Sequence, residues 1–241
     1  YSVHRWIALA VSLQLLAWSL GGLTFSVLDI EAVRGSHDTR QIDSPALPVS
    51  EVAVTPAQAV AAAGTKGDVL AVSLRVLRDR PVYVVEPVDG NSTLVDARTG
   101  DRLEAVDRRE AERIALADFA SDARAVAADL ITADDDVPLE MRGREPPAWR
   151  VVLDHPREPH IYVSAITGAV IARRNDLWRL FDFFWMLHIM DYGERESFNH
   201  PLLVAASLLA VMTALSGVVL WGWRAPSALR RMRSRSEKAF E

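Results

Sequence analysis

The chain has 241 residues, of which 50% are hydrophobic and 24% are charged, and its net charge is −5. It contains no cysteine, which excludes disulfides, thiolate zinc sites, cysteine-ligated iron–sulfur clusters and covalent c-type haem within this chain. The negative charge also argues against a nucleic-acid partner, because the single cluster of basic residues lies beside a long apolar segment.

Two long segments without any charged residue lie near the ends of the chain. Residues 6–28 and 201–223 each comprise 23 residues, and as α-helices they span about 34 Å, enough to cross a bilayer core of about 30 Å. A cleaved signal peptide is the alternative for the first segment, but its apolar core is typically shorter and no small-residue cleavage pattern follows Leu28. The sequence therefore predicts two transmembrane helices.

The distribution of charge predicts the topology. Residues 224–241 carry six basic and two acidic residues, whereas residues 29–196 carry 30 acidic and 20 basic residues. Short basic flanks stay in the cytoplasm, and a basic tail contacts anionic lipid. We therefore expect a bacterial inner (cytoplasmic) membrane protein with both termini in the cytoplasm and its middle part in the periplasm.

The first half of the middle part combines a helix with β-strands. Residues 32–51 are polar and contain Pro45 and Pro48, which predicts an extended linker. Thr55 and Pro56 are typical of a helix start and precede an alanine-rich segment. β-branched and apolar residues then predict strands at 69–76, 80–87 and 93–96, with a hairpin turn at Asp89-Gly90.

The second half repeats this pattern. A helix is predicted at 107–120, and strands at 148–154, 160–164 and after Thr167-Gly168. Residues 94–100 and 162–168 match in hydrophobic, small and Thr-Gly positions at an offset of 68, which indicates an internal repeat. The acidic segment 121–145 predicts an exposed insertion; a calcium loop at residues 134–136 is the rival, but its alternating oxygen ligands and glycine are missing.

An aromatic segment and a polar hairpin precede the second span. Residues 177–190 are too short to cross a membrane, and aromatic rings prefer the headgroup level, so an interfacial helix is predicted. Asn199 or His200 is expected to cap the helix that starts at Pro201.

Together these patterns predict an α+β protein in which two transmembrane helices flank a periplasmic domain of two helix-plus-antiparallel-strand repeats. The predicted parts are a transmembrane helix at 1–30, a linker at 31–54, repeats at 55–106 and 107–176, an interfacial helix at 177–192, a hairpin and second transmembrane helix at 193–223, and a basic cytoplasmic tail at 224–241.

Several short motifs resemble those of a known family, the PepSY-associated transmembrane proteins. They are His4-Arg5-Trp6 before an apolar helix, Gly21-Gly22-Leu23 within it, Thr-Gly at 99–100 and 167–168, Leu187-His188, and the segment 215–221 (Leu-Ser-Gly-Val-Val-Leu-Trp). Ser216 stands where the family often has Thr. The resemblance covers nearly the whole chain and implies that the two repeats are PepSY-like.

The resemblance also implies a range of functions. Some members of the wider family are ferric-siderophore reductases, which are larger proteins with four membrane helices and b-type haem. This chain has two predicted helices, so a four-helix bundle requires a homo-oligomer or other membrane redox subunits. Other PepSY domains are thought to bind and inhibit peptidases.

Three of the six histidines, His4, His188 and His200, lie at predicted membrane boundaries. In a chain without cysteine, haem b requires His or Met ligands, and the resemblance favours these histidines as haem-iron ligands. The helical spacing places aromatic residues around His188, at positions 184, 185 and 192. The opposite ligand is expected to be His200 or the same histidine of a second copy. His4 lies about 34 Å away by helix length and belongs to a second haem if it binds one.

Structural roles are the alternative for these residues. An interfacial histidine often keeps its polar tip in water, His200 is a potential cap, and His4 is a potential cytoplasmic flank charge. The small pairs at 21–22 and 216–217 fit close helix packing or a porphyrin, and Gln14 is expected to seek a polar partner across an interface.

The sequence therefore predicts a membrane subunit that supports transmembrane electron transfer, with electrons entering near His4 and leaving near His188. No catalytic residue is predicted, and any enzymatic role is that of a ferric-reductase-like oxidoreductase subunit. The alternatives are a non-catalytic accessory or assembly subunit that docks on a larger membrane complex, and a peptidase-regulating binding module.

Overall fold

The computed structural model describes residues 2–40, 46–65, 67–77, 80–88 and 92–237. The chain divides into two compact units, one of Tyr1–Leu28 with Phe181–Glu241 and one of Asp29–Leu180. The helices are α1 (Ser2–Val27), α2 (Ile30–Arg34), α3 (Pro56–Ala63), α4 (Arg108–Asp118), α5 (Asp176–Ile189) and α6 (Pro201–Glu237). The strands are β1 (Val69–Leu77), β2 (Arg80–Pro87), β3 (Thr93–Asp96), β4 (Ala125–Ile131), β5 (Ala148–Leu153), β6 (His160–Ser164) and β7 (Val170–Arg174).

The two predicted apolar helices are confirmed. Within α1 and α6, the segments Trp6–Val27 and Pro201–Trp223 are long and apolar enough to cross a membrane. The most apolar window is 11% buried in the first segment and 0% buried in the second. Most of their side chains are therefore available to lipid or to other helices.

The first sheet packs against α3 and has the antiparallel order β1-β2-β3. Helix α3 begins with a capping box, because Gln58 N donates to Thr55 Oγ1 at 3.3 Å and Thr55 N donates to Gln58 Oε1 at 2.8 Å. Its small residues Ala59 and Ala63 are buried against the sheet. The predicted helix and strands are confirmed here, while the predicted turn at Asp89-Gly90 lies outside the described residues.

The second sheet packs against α4 and has the antiparallel order β4-β5-β6-β7. Asp107 caps α4 by accepting a hydrogen bond from Glu110 N at 2.8 Å. Ala111 and Ala115 of α4 are fully buried in a cluster with Val151 and Val163 of the sheet. The mixture of helices and antiparallel sheets agrees with the predicted α+β class.

The prediction that residues 121–145 form an exposed insertion was wrong. This segment supplies the edge strand β4, whose Asp129 pairs with Arg150 of β5 at 2.8 Å. It also supplies Met141, which is fully buried with Ile131 and Tyr162. The acidic residues misled the prediction because they occupy the solvent side of an edge strand and its following turn, while the apolar residues between them face the core.

The polar segment after α1 is not extended throughout, in contrast to the prediction. Asp29 caps the short helix α2, and Gly35 ends it with a φ of 74°, a conformation that glycine adopts without strain. Val33 is only 2% exposed, and Asn175 donates to the carbonyl of Ala32 at 2.9 Å. Residues 29–40 are therefore packed onto the second sheet's domain.

A polar cluster centred on Glu140 lies in the same unit. The Glu140 carboxylate accepts hydrogen bonds from Tyr162 OH at 2.7 Å and Arg179 Nε at 2.9 Å, and it lies 2.7 Å from His160 Nδ1. Burial opposes ionisation, but the hydrogen bonds from His160 and Tyr162 and the charge of Arg179 outweigh it and lower the pKa of Glu140 to about 2. Burial and the adjacent carboxylate raise the pKa of Tyr162.

This cluster makes the stability of the protein pH-dependent. Because the folded-state pKa of Glu140 is lowered, its contribution is fully present above its ordinary value of 4.5 and is lost as the pH falls towards about 2. We expect Glu140→Gln to lower the unfolding temperature in detergent at pH 7, and this difference from the wild type to shrink as the pH falls to 3. Glu145→Gln, at an exposed position, is the control, and an equal effect of both variants at pH 7 would contradict the prediction.

The buried position of Met141 gives a second prediction. Met141→Ala removes a fully buried side chain, so we expect it to destabilise the protein by about 2–5 kcal/mol in denaturant unfolding. Leu139→Ala, in the same turn but 41% exposed, is expected to change stability by no more than about 0.5 kcal/mol. Similar small effects of both substitutions would mean that this segment is not part of the core.

Candidate functional site

The candidate site is built around His188, which lies in the last turn of α5 and is half-buried. Its Nδ1 is buried and has no hydrogen-bond partner among the described residues. Carbonyl groups in the last turn of a helix lack intrahelical partners. The His188 carbonyl finds one in Trp18 Nε1, which donates to it at 2.9 Å.

Helix α1 contacts α5 through a glycine at this point. Gly21 is buried, and a Cβ added to it would lie 3.8 Å from both His188 Nδ1 and the Phe184 carbonyl oxygen. Of the two roles that the sequence left open for this glycine, the structure supports close helix packing. Gly22 and Gly217 have no atom within 4 Å of the corresponding Cβ position.

Aromatic rings from both helices surround this contact. The centroid of the Phe25 ring lies 4.6 Å from that of Phe181 and 5.7 Å from that of His188, and the Trp18 centroid lies 6.5 Å from His188. Trp185 stacks on Phe181 at 6.4 Å. The imidazole of His188 is thus held between rings of α1 in an apolar setting.

Two acidic residues tie the following loop to α5. Asp182 is 4% exposed and pairs with Arg195, whose carbonyl accepts a hydrogen bond from Trp185 Nε1 at 3.1 Å. Asp191 accepts hydrogen bonds from the backbone N–H groups of Ser197 and Glu196, both at 3.1 Å, and these lower its pKa. The loop that joins α5 to α6 is therefore held by charge-assisted hydrogen bonds.

The other two predicted histidines are not brought to His188 by any contact among the described residues. His200 precedes Pro201, and its carbonyl accepts the first hydrogen bond of α6 from Val204 N at 3.2 Å. Its Nδ1 is buried without a hydrogen-bond partner in the described part of the chain. His4 lies in α1 near its start, and its side chain is outside the described part of the structure.

The sequence missed the residues that actually contact His188. It placed Phe184, Trp185 and Tyr192 around it, whereas the rings that pack on the imidazole are Trp18 and Phe25 of α1. The sequence feature that could have identified these contacts is a stripe of residues on one face of α1 that is spaced for packing on another helix. It runs at intervals of three and four residues through Val11, Gln14, Trp18, Gly21 and Phe25.

Gln14 belongs to this stripe, and its Nε2 is buried without a hydrogen-bond partner among the described residues. The expected polar partner therefore stays a prediction. No group of three or more His, Asp or Glu residues that could hold a metal ion occurs within the described ranges.

The packing of Gly21 gives a third prediction. Gly21→Leu places a side chain against His188 and the Phe184 backbone, so we expect a loss of about 1–3 kcal/mol in unfolding experiments in detergent. Gly22→Leu is the control, because it adds the same side chain where no atom lies within 4 Å of the Cβ position. Replacing glycine with leucine raises the helix propensity of α1 equally in both variants. Equal stabilities of the two variants would show that α1 does not pack on α5 through Gly21.

The family model described as the PepSY-associated TM region matches residues 1–240 of the chain. Comparison of the chain with curated proteins and with solved structures gives no match. With the family model covering nearly every residue and two helices suited to a bilayer, the chain is a membrane protein that belongs to the PepSY-associated transmembrane family.

Proposed function

We propose that this protein is a membrane subunit that supports transmembrane electron transfer and that His188 is an axial ligand of b-type haem. The observation that carries the proposal is the imidazole of His188, which lies at the end of α5 and packs on the rings of Trp18 and Phe25. A held imidazole in an apolar setting suits haem ligation, because histidine is a common haem ligand and the protein must orient it.

In this proposal, His188 would supply one ligand to haem in each chain. Nδ1 faces Gly21 and is covered, so Nε2 is the nitrogen that remains to coordinate iron. Bound haem supplies one-electron redox chemistry to the membrane subunit. The residues of this chain orient the imidazole: Trp18 holds the backbone of His188, and Phe25 packs against the edge of its ring.

The second ligand then comes from His200, from His188 of a second copy, or from another membrane redox subunit. His200 Nδ1 is also buried without a partner among the described residues, which supports its candidacy. His4 is the candidate for a second haem at the other end of α1. The two spans of this chain reach the four-helix arrangement of the haem-containing relatives only with additional helices.

We further propose an inner-membrane location with both termini in the cytoplasm and residues 29–196 in the periplasm. The excess of basic residues after position 223 and the acidic character of 29–196 support this orientation. In this arrangement, α5 is the helix at the outer headgroup level, the domains carrying the two sheets are PepSY-like repeats, and the acceptor of electrons is a ferric chelate outside the membrane.

A spectrum tests the haem proposal. The full chain is produced in haem-supplemented cells and purified in detergent. Its reduced-minus-oxidised visible absorption spectrum is then recorded. We expect Soret and α bands in the wild type, and loss of most of their amplitude in His188→Ala because an axial ligand is removed. The control is His37→Ala, an exposed histidine paired with Asp29, which is expected to keep the bands.

Two outcomes would reject the proposal: no haem bands in haem-replete wild-type protein, or full bands in His188→Ala.

The second candidate function is a non-catalytic accessory or assembly subunit, which is favoured by the almost unburied surfaces of both spans. Co-purification of a larger membrane complex without haem in this chain would support it, and recovery of a peptidase without a redox protein would instead support a peptidase-regulating module.

A further inference from the structure

The outer edge of β1 is an unpaired strand edge in the unit of residues 29–180. Strand β1 is the first strand of its sheet, and β2 pairs along one side of it from Val69 to Leu77. No described strand pairs with its other side. A free edge of this length leaves a row of backbone N–H and C=O groups ready to pair with another strand.

This edge has few of the features that usually prevent association. Seven of its nine residues are apolar, Arg75 is its only charged residue, and it contains no proline. Leu70 is 70% exposed, and the single irregularity is the bulge between Val69 and Ala71. By contrast β4, one edge of the other sheet, is shorter and carries Asp129. Natural edge strands that stay unpaired are typically short, bulged or charged.

The sequence of β1 is self-complementary about Ser73. When two copies pair antiparallel about this residue, the apolar Val72 lies opposite Leu74 of the partner subunit. Arg75 then lies opposite Ala71 of the partner subunit, so the two arginines do not face each other directly. A twofold pairing therefore matches apolar with apolar side chains and avoids repulsion between like charges.

The centre of this register coincides with an unusual polar atom. The Oγ of Ser73 is buried and has no hydrogen-bond partner among the described residues. In the twofold register, the two Ser73 residues face each other with Cβ atoms about 4.5–5.5 Å apart. Since a hydroxyl both donates and accepts, rotation about the side-chain bond lets each Ser73 satisfy the other.

We infer that β1 pairs antiparallel with β1 of a second copy of this chain about Ser73, joining two three-stranded sheets into one six-stranded sheet. Anchoring both copies in one membrane raises their effective concentration, which favours a small interface of this kind. The inference names a surface for self-association and does not depend on haem.

A single-cysteine experiment tests this inference, because the natural chain contains no cysteine. Ser73→Cys is introduced into the full-length chain, and membranes are treated with a mild oxidant before non-reducing electrophoresis. The control is Val126→Cys on the edge strand β4, where the side chain is 61% exposed. We expect at least about fivefold more disulfide-linked dimer for Ser73→Cys, because in the proposed register only these two positions face each other, with Cα atoms about 4.5–5.5 Å apart and within the Cα–Cα range that a disulfide spans.

The second part of the experiment places a charge on the edge of β1. Leu70→Lys adds a charge to an exposed position of β1, so it is expected to remove the cross-linked dimer of Ser73→Cys without unfolding the chain. Val126→Lys, on β4, is expected to leave the cross-linking unchanged. Equal cross-linking of Ser73→Cys and Val126→Cys, or full cross-linking of Ser73→Cys with Leu70→Lys, overturns the inference. The haem spectrum is recorded separately, so failure of either proposal is distinguishable from failure of the other.

Discussion

The close approach of α1 to α5 at Gly21 is the contact on which the geometry of the candidate site depends. At this contact the Trp18 indole reaches the His188 carbonyl and the Phe25 ring reaches the imidazole, while Gly21 leaves room for no more than a methyl group. A hydrogen bond of this kind is strong where water is scarce, because neither group has an alternative partner. The glycine, the indole and the imidazole therefore form one unit, and a change at any of them alters the surroundings of the other two.

The elements that sequence reasoning predicted well are those with strong local signals. Thr55 and Asp107 accept the hydrogen bonds that start α3 and α4, and both caps are visible as residue types before apolar stretches. The two spans follow from length and lack of charge alone. Strand β4 was missed because its alanines and Asp129 carry weak β-propensity, and its place in the sheet is decided by pairing with β5 rather than by its own pattern.

The candidate site was predictable only in part, for a related reason. Helical spacing identifies which residues share a face with His188 on α5, but it does not say which other helix covers that face. Trp18 and Phe25 come from a segment more than 160 residues away in the sequence, and only tertiary packing brings them to the histidine. The role of His188 as a haem ligand stays a prediction, as do the roles of His4 and His200.

The unsatisfied polar atoms of this chain share a physical meaning. Most buried polar groups in folded proteins have a hydrogen-bond partner, since leaving one unpaired costs stability. Six such atoms lack a partner among the described residues. Two are the Nε atoms of Arg150 and Arg195, whose guanidinium groups are paired through another nitrogen, and the other four are Gln14 Nε2, His188 Nδ1, His200 Nδ1 and Ser73 Oγ. The first three of these four belong to the unit that contains the apolar spans, whose surfaces are almost unburied, and the fourth lies on the free edge strand. Of these four atoms, Ser73 Oγ is the one that the proposed pairing of two β1 strands supplies with a partner, because each Ser73 hydroxyl then faces the other.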